Sequence, residues 1–170
     1  MEKFAYECNR ISFAINNIVA NFLGVIVLVM FASIFLQVIS RYCFGNPLPW
    51  PEEVTMFLMA WMSFLGASVA LRQWGHIGVD FFLNRTSGKK RILLLLVIRI
   101  IAIFFTGFLV IHGAIFVMTS TGMVSDGLRI SMVYPRLSMP LGGIFMTFHI
   151  IAFILDDIVQ LKKCRNTRAS

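Results

Sequence analysis

Charge is scarce in this chain. Of its 170 residues, 14% are Asp, Glu, Lys or Arg, against 58% hydrophobic residues that include seventeen phenylalanines. A soluble domain covers its surface with polar side chains, and too few are available here, so lipid must cover it instead. Cysteine is sparse as well: Cys8, Cys43 and Cys164 stand far apart with no CxxC spacing, leaving no sign of a disulfide framework or a zinc site. The start, MEKFAYECNR, carries two acids and two bases, and the apolar run behind it is too long for the core of a cleaved leader. Repeats and low-complexity segments are missing. A net charge of +7 would suit nucleic acid only if the basic residues gathered on a soluble module, and here they lie between apolar stretches.

What the chain does have is long hydrophobic runs. A helix crossing a ~30 Å hydrocarbon core at ~1.5 Å per residue needs ~20 apolar residues. Four segments qualify, at about 18–40, 52–71, 92–120 and 137–161. The expected fold is therefore an all-α membrane protein of one domain, residues 1–170, with four transmembrane helices. The connection RQWGHIGVDFFLNRTSGKKR is too apolar for open water and reads as an interfacial amphipathic segment between helices two and three. Within it, His76 and Asp80 are four apart and positioned to pair or cap. Lys3, Arg10, Arg72, Arg85, Lys89, Lys90, Arg91, Lys162, Lys163, Arg165 and Arg168 flank the spans on one side. Only Arg41, Arg129 and Arg136 flank them on the other. By the positive-inside rule both termini are cytoplasmic.

No acid lies near the middle of a span, which argues against a stand-alone proton-coupled pump. No central proline breaks a span either, so a substrate site built on a discontinuous helix is not evident. His112 and His149 fall in spans three and four. A histidine pair can ligate haem between helices, although hydrogen-bonded histidines are the commoner situation. Arg99 lies within span three at a depth matching Asp156 and Asp157 in span four, which predicts a structural ion pair or a snorkelling arginine.

Three of the five prolines crowd into PLPWPEE, residues 47–53, just before span two. Pro51 suits a first helical turn, Glu52 and Glu53 suit the positive end of the helix dipole, and Trp50 suits a membrane interface, as Trp74 does at the other end. Two carboxylates so near hydrocarbon call for a cation, and Arg41, closing span one on the same side, is the expected partner. Ser33, Gln37 and Arg41 follow at i, i+4 and i+8 and share a face. Ala60, Ser63, Gly66, Ala67 and Ala70 in span two permit close approach of helices. On residues alone two classes survive: a scaffolding subunit of a larger membrane assembly, and a membrane anchor of a redox complex holding haem or quinone.

The stretch RYCFGNPLPWPEEVTMFLMAWMSFLGASVALRQWGHIGVDFF resembles the small membrane subunit of tripartite ATP-independent periplasmic (TRAP) transporters, the DctQ-like family. Arg41, Trp50, Glu52, Glu53, Trp61, Phe64, Leu65, Gly66, His76, Val79 and Asp80 carry the likeness, and LRISMVYPRLSMPLGGIFM extends it to the fourth span. The resemblance implies a component of the bacterial inner membrane that is not an enzyme and needs no cofactor. Its implied partners are a large membrane subunit of elevator type and a periplasmic substrate-binding protein. Together they would import organic acids of the C4-dicarboxylate or sialic acid class on a sodium gradient, with this chain as scaffold. The loop from Gly122 to Arg136, bearing Asp126, Arg129, Tyr134 and Arg136, is then a candidate docking surface for the binding protein; the plainer alternative is a solvated loop with an interfacial tyrosine.

Overall fold

The computed structural model describes residues 2–46, 48–74 and 89–166. They form α1 (Glu2–Cys43), α2 (Trp50–Trp74), α3 (Lys89–Met118), a single turn α4 (Val133–Arg136) and α5 (Ser138–Asn166). Four helices are long and apolar enough to cross a membrane. The connection between α2 and α3, with His76 and Asp80, lies outside the described residues, so the interfacial segment expected there does too.

The first helix begins well before the expected start of span one. Its 42 residues reach roughly 63 Å, about twice the hydrocarbon thickness. Asn9, Ser12 and Asn16 interrupt the apolar run and disguise this continuity. They do not end the helix, because they share one face and turn it inward: Ser12 and Asn16 are 0% and 2% exposed. At the other end Gly45 takes φ +63, a conformation open to glycine. The reversed chain lets the Asn46 amide reach the Ser40 carbonyl at 3.3 Å, and the Ser40 hydroxyl donates to the Asn46 carbonyl at 2.5 Å. Pro51, in the first turn of α2, is fully buried, and its carbonyl accepts the Thr55 hydroxyl at 2.8 Å.

The last helix is central, with α2 on one side and α3 on the other; α1 packs on α2 and α5. Two adjacent glycines set this arrangement. A Cβ on Gly142 would lie 2.7 Å from Phe64 Cβ and 3.0 Å from the Phe64 carbonyl, and one on Gly143 would lie 2.9 Å from Val110 Cγ2. One glycine thus admits α2 and the next admits α3, the close approach that small residues provide between membrane helices. Val19, Leu65 and Val69 form a buried cluster with Ile15, Leu23, Trp61 and Phe145 packed against it, so Trp61 and Leu65 serve the α1–α2–α5 core. The outward faces are strongly apolar, with Leu28 69%, Phe31 68%, Phe104 80% and Ile111 62% exposed. Such surface is tolerable only against lipid or protein.

Candidate functional site

The charged contacts among the described residues gather in two layers, one at each end of the bundle, with the Thr147 hydroxyl donating to Thr106 at 2.9 Å between them. At the α2 start, the Glu53 carboxylate accepts the Gly127 amide at 2.7 Å and the Leu128 amide at 2.8 Å. These amides are at the tip of a pinched loop. The Ser125 amide donates to the Ile130 carbonyl at 2.9 Å and the Met132 amide to the Met123 carbonyl at 3.0 Å, closing a bridge between Val124 and Ser131. The turn is tight enough that Arg129 adopts φ +54. Glu53 therefore latches the loop to the membrane bundle.

The expected Arg41 pair is not what forms. Among the described residues Arg41 is exposed and meets neither glutamate; Glu53 satisfies itself with backbone amides, and Glu52 lies 3.5 Å from Gln37 Nε2. The inward part of the Ser33–Gln37–Arg41 stripe thus stops at Gln37, and a carboxylate at the positive end of a helix dipole facing two N–H groups does not need a cation. Trp50 is the half-buried first residue of α2. In the loop, Asp126, Arg129 and Tyr134 are exposed. Arg136 is engaged instead: it donates to the Ser120 hydroxyl and lies 4.3 Å over the Phe116 ring, stitching the loop base to α3.

At the opposite end Arg99 forms an ion pair with Asp157, both side chains 9% exposed. Of the two aspartates expected at this depth, Asp157 is the partner and Asp156 is one position round the helix. Asp157 occupies the buried face and Asp156 is half-buried. The Arg99 and Arg72 guanidiniums approach the same ring, Phe153, at 5.2 Å and 4.9 Å. Arg72 also donates to the Asn9 side chain and, at 3.4 Å, to the Asn9 carbonyl. Alongside, Ser12 Oγ and His149 Nδ1 are 2.6 Å apart and fully buried. His112 is far from this environment in kind: it is exposed, with its ring 4.0 Å from Phe108 of its own helix. The two histidines do not face each other across a haem slot. Among the described residues no group of three His, Cys, Asp or Glu could hold a metal ion.

The layer at the Arg99 end was only half visible in sequence. Asn9, Ser12 and Asn16 at i, i+3 and i+7 mark one helix face, a signal that was available. That Arg72, His149 and Phe153 complete the layer from two other helices depends on packing and has no sequence signature.

Four helices long and apolar enough to cross a membrane, tied at both rims by polar contacts, define an integral membrane protein. The family described as tripartite ATP-independent periplasmic transporters, DctQ component, matches residues 30–160. The chain belongs to that family, as a small membrane subunit of the inner membrane. It is 26% identical over 149 residues to the sialic acid TRAP transporter small permease protein SiaQ of Vibrio cholerae, covering 88% of this chain and 84% of that one. Over 80 residues it is 39% identical to the C4-dicarboxylate TRAP transporter small permease protein DctQ of Vibrio cholerae, 47% of this chain and 33% of the relative. It is also 30% identical over 129 residues to the sialic acid TRAP transporter permease protein SiaT of Haemophilus influenzae, 75% of this chain and 21% of that protein.

Proposed function

We propose that this chain is the stationary frame of a sodium-driven importer of organic acids, of the sialic acid or C4-dicarboxylate class. It holds a large elevator-type membrane subunit in place and presents its latched loop to a periplasmic substrate-binding protein. Both termini and the α2–α3 connection are inside, and the Glu53 latch is outside. The observation carrying this reading is the distribution of charge. Residues 11–40, 54–71, 100–125 and 137–155 contain no Asp, Glu, Lys or Arg, while both rims are tied by polar contacts. Such a bundle has no carboxylate, Lys or Arg at the bilayer centre with which to carry cargo, and its buried His149 is tied to Ser12, so it is suited to standing still.

A moving domain translocates only relative to something fixed in the bilayer. The face of α2 bearing Met56, Met59, Ser63, Ala67 and Ala70 is exposed, and a Cβ on Gly66 would meet nothing within 4 Å. Gly66 is not needed for packing inside the chain, so we assign this face to the large subunit, whose helix the small side chains admit closely. The exposed Asp126 and Arg129 at the loop tip suit transient docking, because charges steer encounter without a large apolar patch.

The test combines reconstitution and labelling. Proteoliposomes holding this chain alone should take up neither sialic acid nor a C4-dicarboxylate, and uptake should require the large subunit and the binding protein. In a cysteine-free background, Asp126→Cys should react with an impermeant thiol reagent from outside and Ser87→Cys should not. Uptake by the chain alone would end the frame reading, and the reverse labelling pattern would end the assigned orientation.

A further inference from the structure

Between α1, α2 and α5 at the Arg99 end of the bundle is an open cleft of about 280 Å³, lined by Asn9, Asn16, Arg72, Gln73 and Asp156 together with two phenylalanines. Its lining carries a cation, an anion and three amide side chains. Asn16 is 2% exposed, and its Oδ1 has no hydrogen-bond partner. A buried amide oxygen left without a donor costs free energy, so its presence on a cleft wall points to a donor supplied from outside. The same wall carries a cation and an anion, Arg72 and Asp156. Arg72 binds Asn9 through Nη2, and a guanidinium has further N–H groups to offer. Phe13, 58% exposed at the edge, continues the cleft into apolar surface.

We propose that this cleft binds the headgroup of a zwitterionic aminophospholipid. The primary ammonium donates to Asn16 Oδ1 and the Asp156 carboxylate, the phosphate meets Arg72, and an acyl chain runs past Phe13. The end of the bundle carrying Arg72 and Asp156 lies at headgroup depth whichever way the chain is oriented, so the inference is independent of the topology proposed above. A trimethylated headgroup lacks the N–H donors that Asn16 requires. A purely anionic headgroup satisfies Arg72 but is repelled by Asp156.

The experiment uses the full chain in detergent, exchanged against equimolar phosphatidylethanolamine, phosphatidylcholine and phosphatidylglycerol, with bound lipid read by native mass spectrometry. Phosphatidylethanolamine should be retained roughly tenfold over phosphatidylcholine, the scale of one hydrogen bond to a charged group. Asn16→Leu and Asp156→Asn should each bring the ratio towards one, while Thr119→Val at the far end leaves it unchanged. Equal retention of the three lipids, a preference for phosphatidylglycerol, or a preference that survives both substitutions overturns the proposal. The comparison of the three lipids on the unmodified chain decides the matter even if a variant fails to fold.

Discussion

The two rims of the bundle solve the same problem with different materials. At the loop rim a single carboxylate, Glu53, is matched to two backbone amides of a turn. At the opposite rim, a buried guanidinium and carboxylate pack with a half-buried guanidinium and a shared aromatic ring, beside a sealed Ser12–His149 contact. The first arrangement fixes the shape of a surface loop; the second fixes which helices are neighbours. A contact to backbone amides is indifferent to the side chains of the loop, so the turn can vary while the latch persists. A side-chain network requires every member, and losing one leaves the others stranded in a poorly solvated place.

This contrast predicts an ordered series of effects. The largest follows Asp157→Ala, which leaves the 7%-exposed Arg99 without its counter-ion; breaking a buried pair from one side costs about 3–5 kcal/mol. Thermal unfolding in detergent should show that loss, and the double replacement Arg99→Leu with Asp157→Leu should restore much of it. If the single and double variants unfold alike, the pair is not a coupled unit. Next comes Ser12→Ala, which strands His149 Nδ1 at a cost of about 1–3 kcal/mol. Ser12→Thr, which keeps the hydroxyl, should cost less.

Smaller again is Glu53→Gln, which removes the charge from both amide contacts. Faster hydrogen exchange at Gly127 and Leu128 should result, with little change in the unfolding midpoint; unchanged exchange would show that the loop holds itself. Arg41→Ala should do least. In a cycle with Glu53→Ala the two effects should add, as they do for groups that share no contact. Coupling between them would restore the ion pair that sequence suggests.

Four helices were legible because the chain has four apolar runs long enough to cross a bilayer and too few polar residues to cover them in water. Arg99 was legible as needing an acid in α5. Which of two adjacent aspartates serves was not, because one residue of rotation, ~100°, decides it and the rotation of α5 is set by Gly142 and Gly143 meeting α2 and α3. Glu53 was recognised as special but assigned the wrong partner. Charge complementarity is visible in sequence, whereas backbone amides of a turn more than seventy residues away carry no letter of their own. In α1 the expected span began at about residue 18, whereas the helix starts at Glu2 and turns Asn9, Ser12 and Asn16 into a contact surface.

The separation of Ser12 from His149, 137 residues, has a consequence for how the protein is made. At synthesis rates of ~5–20 residues per second, roughly 7–27 s pass between the two leaving the ribosome. Arg99 likewise emerges before Asp157 exists. Throughout that interval the nascent chain carries a half-built layer at the Arg99 end, with a guanidinium in α3 awaiting its counter-ion and a polar α1 face awaiting its histidine. The last helix to be synthesised is the one on which the others converge, so a ribosome that stalls short of Asp157 leaves an insertion intermediate and not a smaller version of the bundle.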